Sequence, residues 1–379
     1  MKYNTLIPVL FFFLVTNIIN AQLDSILAKT KFEMDFRFRA EQDWDSRRSD
    51  GSYRDDRTRL RYRLRTGATY ANRWYAMGFR IRTGDQNKQQ DPQLTLGKGF
   101  EEFGTLPLGF EKIFFQANLK NTTIWLGKNS YPFEKNNELF WSDNVYPEGV
   151  AVSQSIKLDS KALSQINING GHFILSANDT SLAEDTYFQG LQTTLQLADN
   201  RIEVFPSLYA FRNIPNIPDG DHTFLLDYTI LHWGTRIHLV PKKQLRLEFD
   251  YYHNIEDYND NVNIEEQFQE EKSGLVAGIK YGSLKQAKAW TCSLSFAALE
   301  RFSILDYMAQ NDWARWDYSS NNSPDGRLSN FNGIEFVAGY AISPKMRLKM
   351  KYYAVTQRIP LGAEKETGQR IRFDIDISL

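Results

Sequence analysis

Arg59, Arg61, Arg63 and Arg65 stand at every second position, and Arg80 and Arg82 repeat the spacing a short way on. Near the C-terminus Arg347, Lys349 and Lys351, with Arg370 and Arg372, form a second basic set. In extended backbone, residues two apart share a face, so each set presents a row of cations. Such rows do one kind of chemistry: they hold or steer anions through charge-assisted hydrogen bonds. They persist only beside water, because like charges packed in lipid or in a dry core would be prohibitively costly. The competing reading is a solvated polar face whose cations simply pair with Glu33, Asp35, Asp374 and Asp376.

Other chemistry finds little support. His172, His222, His232, His238 and His253 include no HExxH pattern, and His232 and His238, though on one face, have no ligand set beside them. No GxSxG elbow or phosphate loop occurs. Asp257, Asp260, Glu265, Glu266, Glu270 and Glu271 lack a fixed ligand spacing and read as a solvated acidic loop. The single cysteine, Cys292, cannot form an intramolecular disulfide. No catalytic residue, metal or cofactor is expected, and a net charge of -1 gives no bias toward nucleic acid.

Strands must position the basic rows. From Gly368 to Leu379, Ile371, Phe373, Ile375, Ile377 and Leu379 alternate with Arg370, Arg372, Asp374, Asp376 and Ser378, one face apolar and the other polar. That pattern is a membrane-spanning β-strand with lipid on one side and water on the other. It recurs at Lys31–Ala40, Arg57–Tyr70, Trp74–Thr83, Phe110–Lys120, Thr122–Lys128, Val150–Leu158, Gln165–Ser176 and Tyr187–Ala198. The second half gives Arg201–Phe211, Leu225–Leu239, Gln244–His253, Ser273–Tyr281, Ala289–Leu299, Asn332–Ile342 and Met346–Thr356. The spacing therefore predicts an all-β transmembrane antiparallel barrel of about sixteen strands, with tight periplasmic turns and long extracellular loops. A mean hydropathy of -0.49 with 14% aromatic residues suits such a wall. Lys2, an apolar run over Leu6–Ile19 and the small residue Ala21 read as a signal peptide, residues 1–21, ahead of one barrel domain, residues 22–379.

The loop from Asn129 to Gly149 is unlike the others. Tyr131, Phe133, Leu139, Phe140, Trp141, Val145 and Tyr146 make it apolar, and Pro132 and Pro147 fix its turns. Packed on the inner wall it would bury those rings and constrict the channel, with Glu134, Glu138, Asp143 and Glu148 facing the basic wall. An external cap or a subunit contact fits the same residue types. The longest late loop, Ser303–Phe331, carries Trp313, Trp316 and Tyr318 and reads as ordinary loop packing in preference to a sugar contact.

The stretch Ile124–Val152 resembles the putative porin family of Gram-negative outer membranes. The matching positions are Gly127-Lys128, Pro132-Phe133, Leu139 to Asp143 and Tyr146 to Gly149; Lys128 replaces an Arg, Tyr146 an Asn, and Phe140 and Ser142 loosen a Trp-Asp pair. The resemblance implies a sixteen-strand general or solute-selective pore and names no solute. The expected function is passive diffusion of small hydrophilic solutes, with a cutoff set by the 129–149 loop and an anion preference set by the arginines. The alternative is a structural, adhesive or lipid-hydrolysing barrel. Expected partners are outer-membrane lipid and lipopolysaccharide, the barrel-assembly machinery and, by analogy with other sixteen-strand pores, two further copies in a homotrimer.

Overall fold

A computed structural model describes residues 26–87, 89–97, 105–216, 224–313 and 329–379. The signal-peptide segment, His222, Trp316 and Tyr318 lie outside the described residues. The strands are β1 (Thr30–Trp44), β2 (Arg57–Ala71), β3 (Tyr75–Thr83), β4 (Leu94–Thr95), β5 (Leu108–Leu119), β6 (Thr122–Lys128), β7 (Glu148–Lys157), β8 (Leu163–Ser176) and β9 (Thr186–Leu197). They continue as β10 (Ile202–Pro215), β11 (Leu225–Val240), β12 (Leu245–Asn254), β13 (Ser273–Gly282), β14 (Trp290–Leu299), β15 (Phe331–Ser343), β16 (Met346–Gln357) and β17 (Thr367–Ser378).

Every strand pairs antiparallel with its neighbours, and β1 pairs with both β2 and β17, so the sheet closes into a ring of sixteen. The two-residue β4 bonds only to β2 and stands outside that ring. The expected strands are therefore found, with shifted ends. The most consequential shift is in β1, which continues past Ala40 to Trp44 and carries Glu41 and Asp43 into the wall.

Alternation sorts the side chains as a barrel requires. Phe32, Phe36, Phe79, Leu191, Phe249, Leu294 and Phe373 are exposed on the outer face. Their neighbours Arg39, Arg61, Arg63, Phe188, Gln192, Asp250 and Arg372 are buried inside. At one tight turn, Ala198, Asp199 and Asn200 all take positive φ, which Asp and Asn tolerate better than most residues. Phe249 sits midway along β12 on the lipid face. Phe249→Arg is expected to cost about 2–4 kcal/mol, as a cation near the bilayer midplane does. Guanidinium unfolding in lipid vesicles measures it, with a change within error of zero contradicting a lipid-facing position.

Candidate functional site: a charged slit beneath three inward loops

The closing strand, β1, is the axis of the charged wall, because its register sets what faces each cation. Across to β17, Arg37 meets Asp376, Arg39 meets Asp374, Glu41 meets Arg372 and Asp43 meets Arg370. Across to β2, Asp35 meets Arg65 and Glu41 meets Arg59, while Arg37 meets Arg63 and Arg39 meets Arg61. The last two are like-charge pairs, unfavourable alone. They are held by carboxylates beside them: Arg39 Nε donates to Asp374 at 2.7 Å, Arg37 Nε to Asp376 at 2.5 Å, and Arg63 and Arg65 both donate to Asp35 at 2.7 Å. Arg59 pairs with Glu41, Arg61 with Asp91 at 2.6 Å, and Arg80 with Glu111 at 2.6 Å. Asp43 bridges Arg370 at 2.5 Å and Arg57 at 2.7 Å. Lys349 pairs with Asp376 and Lys351 with Glu335.

Opposite this wall the lumen is dry. The loop between β6 and β7 folds into the barrel and lays its rings against the inward residues of β8 to β12. Trp141 is fully buried, stacked on Tyr131 at 4.7 Å and Phe188 at 5.3 Å. Phe140 stacks on Tyr209 at 4.8 Å and Tyr252 at 5.3 Å. Phe133 packs on Tyr209 and Phe173, in space that exists because Gly190 has no side chain: a Cβ there would come within 2.4 Å of the Phe133 ring. Burying side chains of this size contributes about 1.5–3 kcal/mol each. Polar bonds fix the register: Gln192 accepts from the Glu134 amide at 2.6 Å and donates to its carbonyl at 3.0 Å. Asn137 donates to Asp250 at 2.7 Å, and Asn136 donates to the Thr235 and Phe249 carbonyls.

Under Phe140 lies a Ser207–His232–Asp250 chain, with Ser207 Oγ 3.3 Å from His232 Nδ1 and His232 Nε2 2.9 Å from Asp250. The order of groups is that of a hydrolytic relay. All three are buried, however, and Ser207 Oγ also donates to the Phe205 carbonyl. Asn137 and Phe140 cap the chain from the loop side and tie it to the loop.

Two further loops complete the cap. Residues 300–313 bury Phe302, Ile304, Leu305, Ala309 and Trp313 inside the barrel and bond to the first loop through Ser142 N to Met308 O at 2.8 Å and Gln310 N to Glu138 O at 2.9 Å. The loop after β3 brings Gln89 to the Tyr146 amide and Asp91 to Arg61. Asp312 descends to the wall, pairing with Arg372 and lying 3.6 Å from Arg39. Burial alone would raise its carboxyl pKa, but Arg372, then Arg39, more than reverse this and hold it well below the usual carboxylate range. Tyr146, stacked under the Arg80 guanidinium at 5.2 Å, has its hydroxyl pushed up to about 12, chiefly by burial. Between cap and wall remains a polar cavity of about 180 Å³.

Of the expected basic residues, Arg63, Arg65, Lys349, Lys351 and Arg372 line this cavity, joined by Arg37 and Arg39. Arg59, Arg61, Arg80, Arg82 and Arg370 share the wall but do not line it, their guanidinium groups turned to the carboxylates and carbonyls beside them. Arg347 bonds the Pro344 carbonyl at the periplasmic turn, away from the cavity. The four loop carboxylates do not all face the basic wall: Glu138 and Asp143 line the cavity, whereas Glu134 lies 3.8 Å from Arg236 and Glu148 pairs with Lys128. Pro132 and Pro147 flank the buried rings, and Gly149 opens the backbone into β7. Glu41, Asp43, Glu111, Asp91 and Asp312 are the partners that alternation alone did not single out.

A closed sixteen-strand antiparallel cylinder with an apolar outside, a charged inner wall and an inserted loop defines an outer-membrane channel of the porin class. The family model described as "Putative porin" matches residues 46–227, a span that contains the Ile124–Val152 stretch. The fold is that of the Pseudomonas putida OprB structure at high pH, with a TM-score of 0.57 and 10% identity over 94% of this chain and 96% of that one. A double mutant of Rh. blastica porin aligns with a TM-score of 0.52 and 10% identity over 92% of this chain and 100% of that one. No curated protein matches the sequence. The protein is an outer-membrane porin, a channel for solute diffusion.

Proposed function

We propose that solutes cross through the slit between the β1–β2–β17 wall and the inserted loops, that this slit sets the size cutoff, and that it favours anions. The carrying observation is the register of β1 against β2, which sets Arg37 opposite Arg63 and Arg39 opposite Arg61 and so concentrates guanidinium groups at one level of the channel. The cavity lining carries seven basic side chains against five carboxylates. The excess is small because most cations are paired, so the preference is modest and screened by salt. Transport is passive, with no cofactor. The Arg59, Arg61, Arg63 and Arg65 row acts as a unit, and replacing all four by Gln leaves Glu41, Asp35 and Asp91 without their main partners. Reversal potentials in a salt gradient are expected to change sign toward cation preference; an unmoved potential in folded protein would refute the selectivity assignment.

The same reading includes export by a signal peptide over residues 1–21, insertion by the barrel-assembly machinery, contact with lipopolysaccharide, and assembly as a homotrimer. Support is of two kinds: the apolar h-region in the sequence for export, and the sixteen-strand ring for the rest.

A further inference from the structure

Among the acids that neutralise the basic wall, Asp312 is unusual in its origin. Asp35, Glu41, Asp374 and Asp376 are wall residues, fixed by strand register. Asp312 comes from the loop after β14, and its carboxylate crosses to Arg372 and Arg39 at the edge of the cavity. Its backbone is held separately: Arg370 donates to the Asn311 carbonyl at 3.1 Å and to the Asp312 carbonyl at 2.7 Å. The carboxylate also accepts from Gln310 Nε2 at 2.5 Å, and because the backbone is anchored independently the side chain can leave all three partners without releasing the loop. If it did, Arg39 and Arg372 would keep Asp374, at 2.7 Å and 3.3 Å, and would turn their remaining donors to the cavity.

The cavity offers further cations. Arg37, Arg63, Arg65 and Lys349 also line it. Lys351 lines the same space. A carboxylate is thus held by two guanidinium groups beside a polar cavity lined by further cations, a recognition site for an oxyanion occupied by one of the chain's own.

We propose that Arg39 and Arg372 form a binding site for the oxyanion group of a small permeating solute, and that Asp312 is an internal competitor which such a solute displaces. The proposal rests on the channel reading above and adds the solute's chemical class. An occluding side chain lowers apparent affinity by the fraction of time the site is open, so removing it strengthens binding without adding a contact. The solute must outbid Asp312 by differential affinity, which favours groups able to accept from both guanidiniums at once, a carboxylate or a phosphate.

The test is current through the full-length protein in planar bilayers in chloride, titrated separately with succinate and with inorganic phosphate. In wild type either anion should reduce the chloride current in a saturable way, and D312N should lower the half-blocking concentration about tenfold. Saturation by succinate alone assigns a carboxylate solute, by phosphate alone a phosphate-bearing one, and by both a general oxyanion site; each supports the proposal. Chloride current that neither anion alters, or a half-blocking concentration unchanged in D312N, overturns it. A wild type that does not conduct removes the channel reading, and the proposal with it. Should D312N fold poorly, wild type in detergent still decides. Trp313, next in sequence and packed on Phe331 and Tyr353, should change emission on anion addition, a change absent in W313F. No Trp313 response overturns the proposal as well.

Discussion

Trp141→Ala is expected to raise single-channel conductance severalfold and to lower the stability of the loaded barrel by about 3–5 kcal/mol, the usual cost of deleting a buried Trp. The indole is fully buried, stacked between Tyr131 and Phe188, and its Nε1 donates to the Val145 carbonyl at 2.9 Å. It therefore ties the two ends of the 129–147 loop to each other and to the inner wall. Loss of the ring leaves Phe133 and Phe140 to hold the loop alone, while the strands outside keep their pairing. The two readouts should separate: conductance rises because the constriction loosens, yet the folded barrel persists. A smaller conductance, or none, with unchanged folding would show that the loop is not what narrows the lumen.

The second large effect is at the seam. Asp43→Ala should cost about 3 kcal/mol, at the lower edge of what removing one partner of a buried ion pair costs, because Arg57 is partly exposed and can rehydrate. Arg370 cannot, since it is buried and would keep only backbone carbonyls. Asp43 touches cations on both sides of β1, bonding Arg57 of β2 and Arg370 of β17, so its loss weakens the first-to-last strand closure from both flanks. Asp43→Asn, which keeps an acceptor oxygen, should recover part of the loss. Heat-dependent migration on detergent gels measures it: the temperature at which folded protein disappears should fall for Asp43→Ala, and an unchanged temperature would mean that the seam draws its stability from the backbone ladder alone.

The strands were legible because a barrel wall imposes strict alternation. Even the short Thr122–Lys128 strand shows it, with Trp125 buried inside and Leu126 exposed to lipid. The ends were less legible, for a physical reason. Glu41, Gln42 and Asp43 are polar enough to read as loop, yet they extend β1 because the extracellular end of the wall rises beyond the apolar band and needs no lipid-facing residue there. That extension hid two carboxylates of the ion-pair network. Glu111 was hidden differently, since a register shift between Arg80 and Ile81 breaks the alternation on β5. The density of rings in the 129–149 loop marked it for burial but left an external cap or a subunit contact open, because residue types alone do not say which surface the rings cover. The 300–313 loop carries the same signal in Phe302, Ile304 and Leu305, diluted by polar neighbours. Asp91 and Asp312 reach the wall from loops, and no periodicity encodes such a contact.

Pairing also explains why so basic a wall is tolerable. Isolated, the like-charge pairs Arg37–Arg63 and Arg39–Arg61 would repel across one rung of the sheet. Acids on β17 and β1 compensate them, and the cavity lining keeps only a small positive excess. The wall is thus a stabilising network and, in the function proposed here, a weak selector.

The central claim, that a wet passage survives beside the dry aromatic half of this cylinder, is tested most directly by recording from the folded full-length protein in a planar bilayer. Discrete, stable conductance steps are the predicted result, and electrical silence from protein shown to be folded and inserted would contradict it.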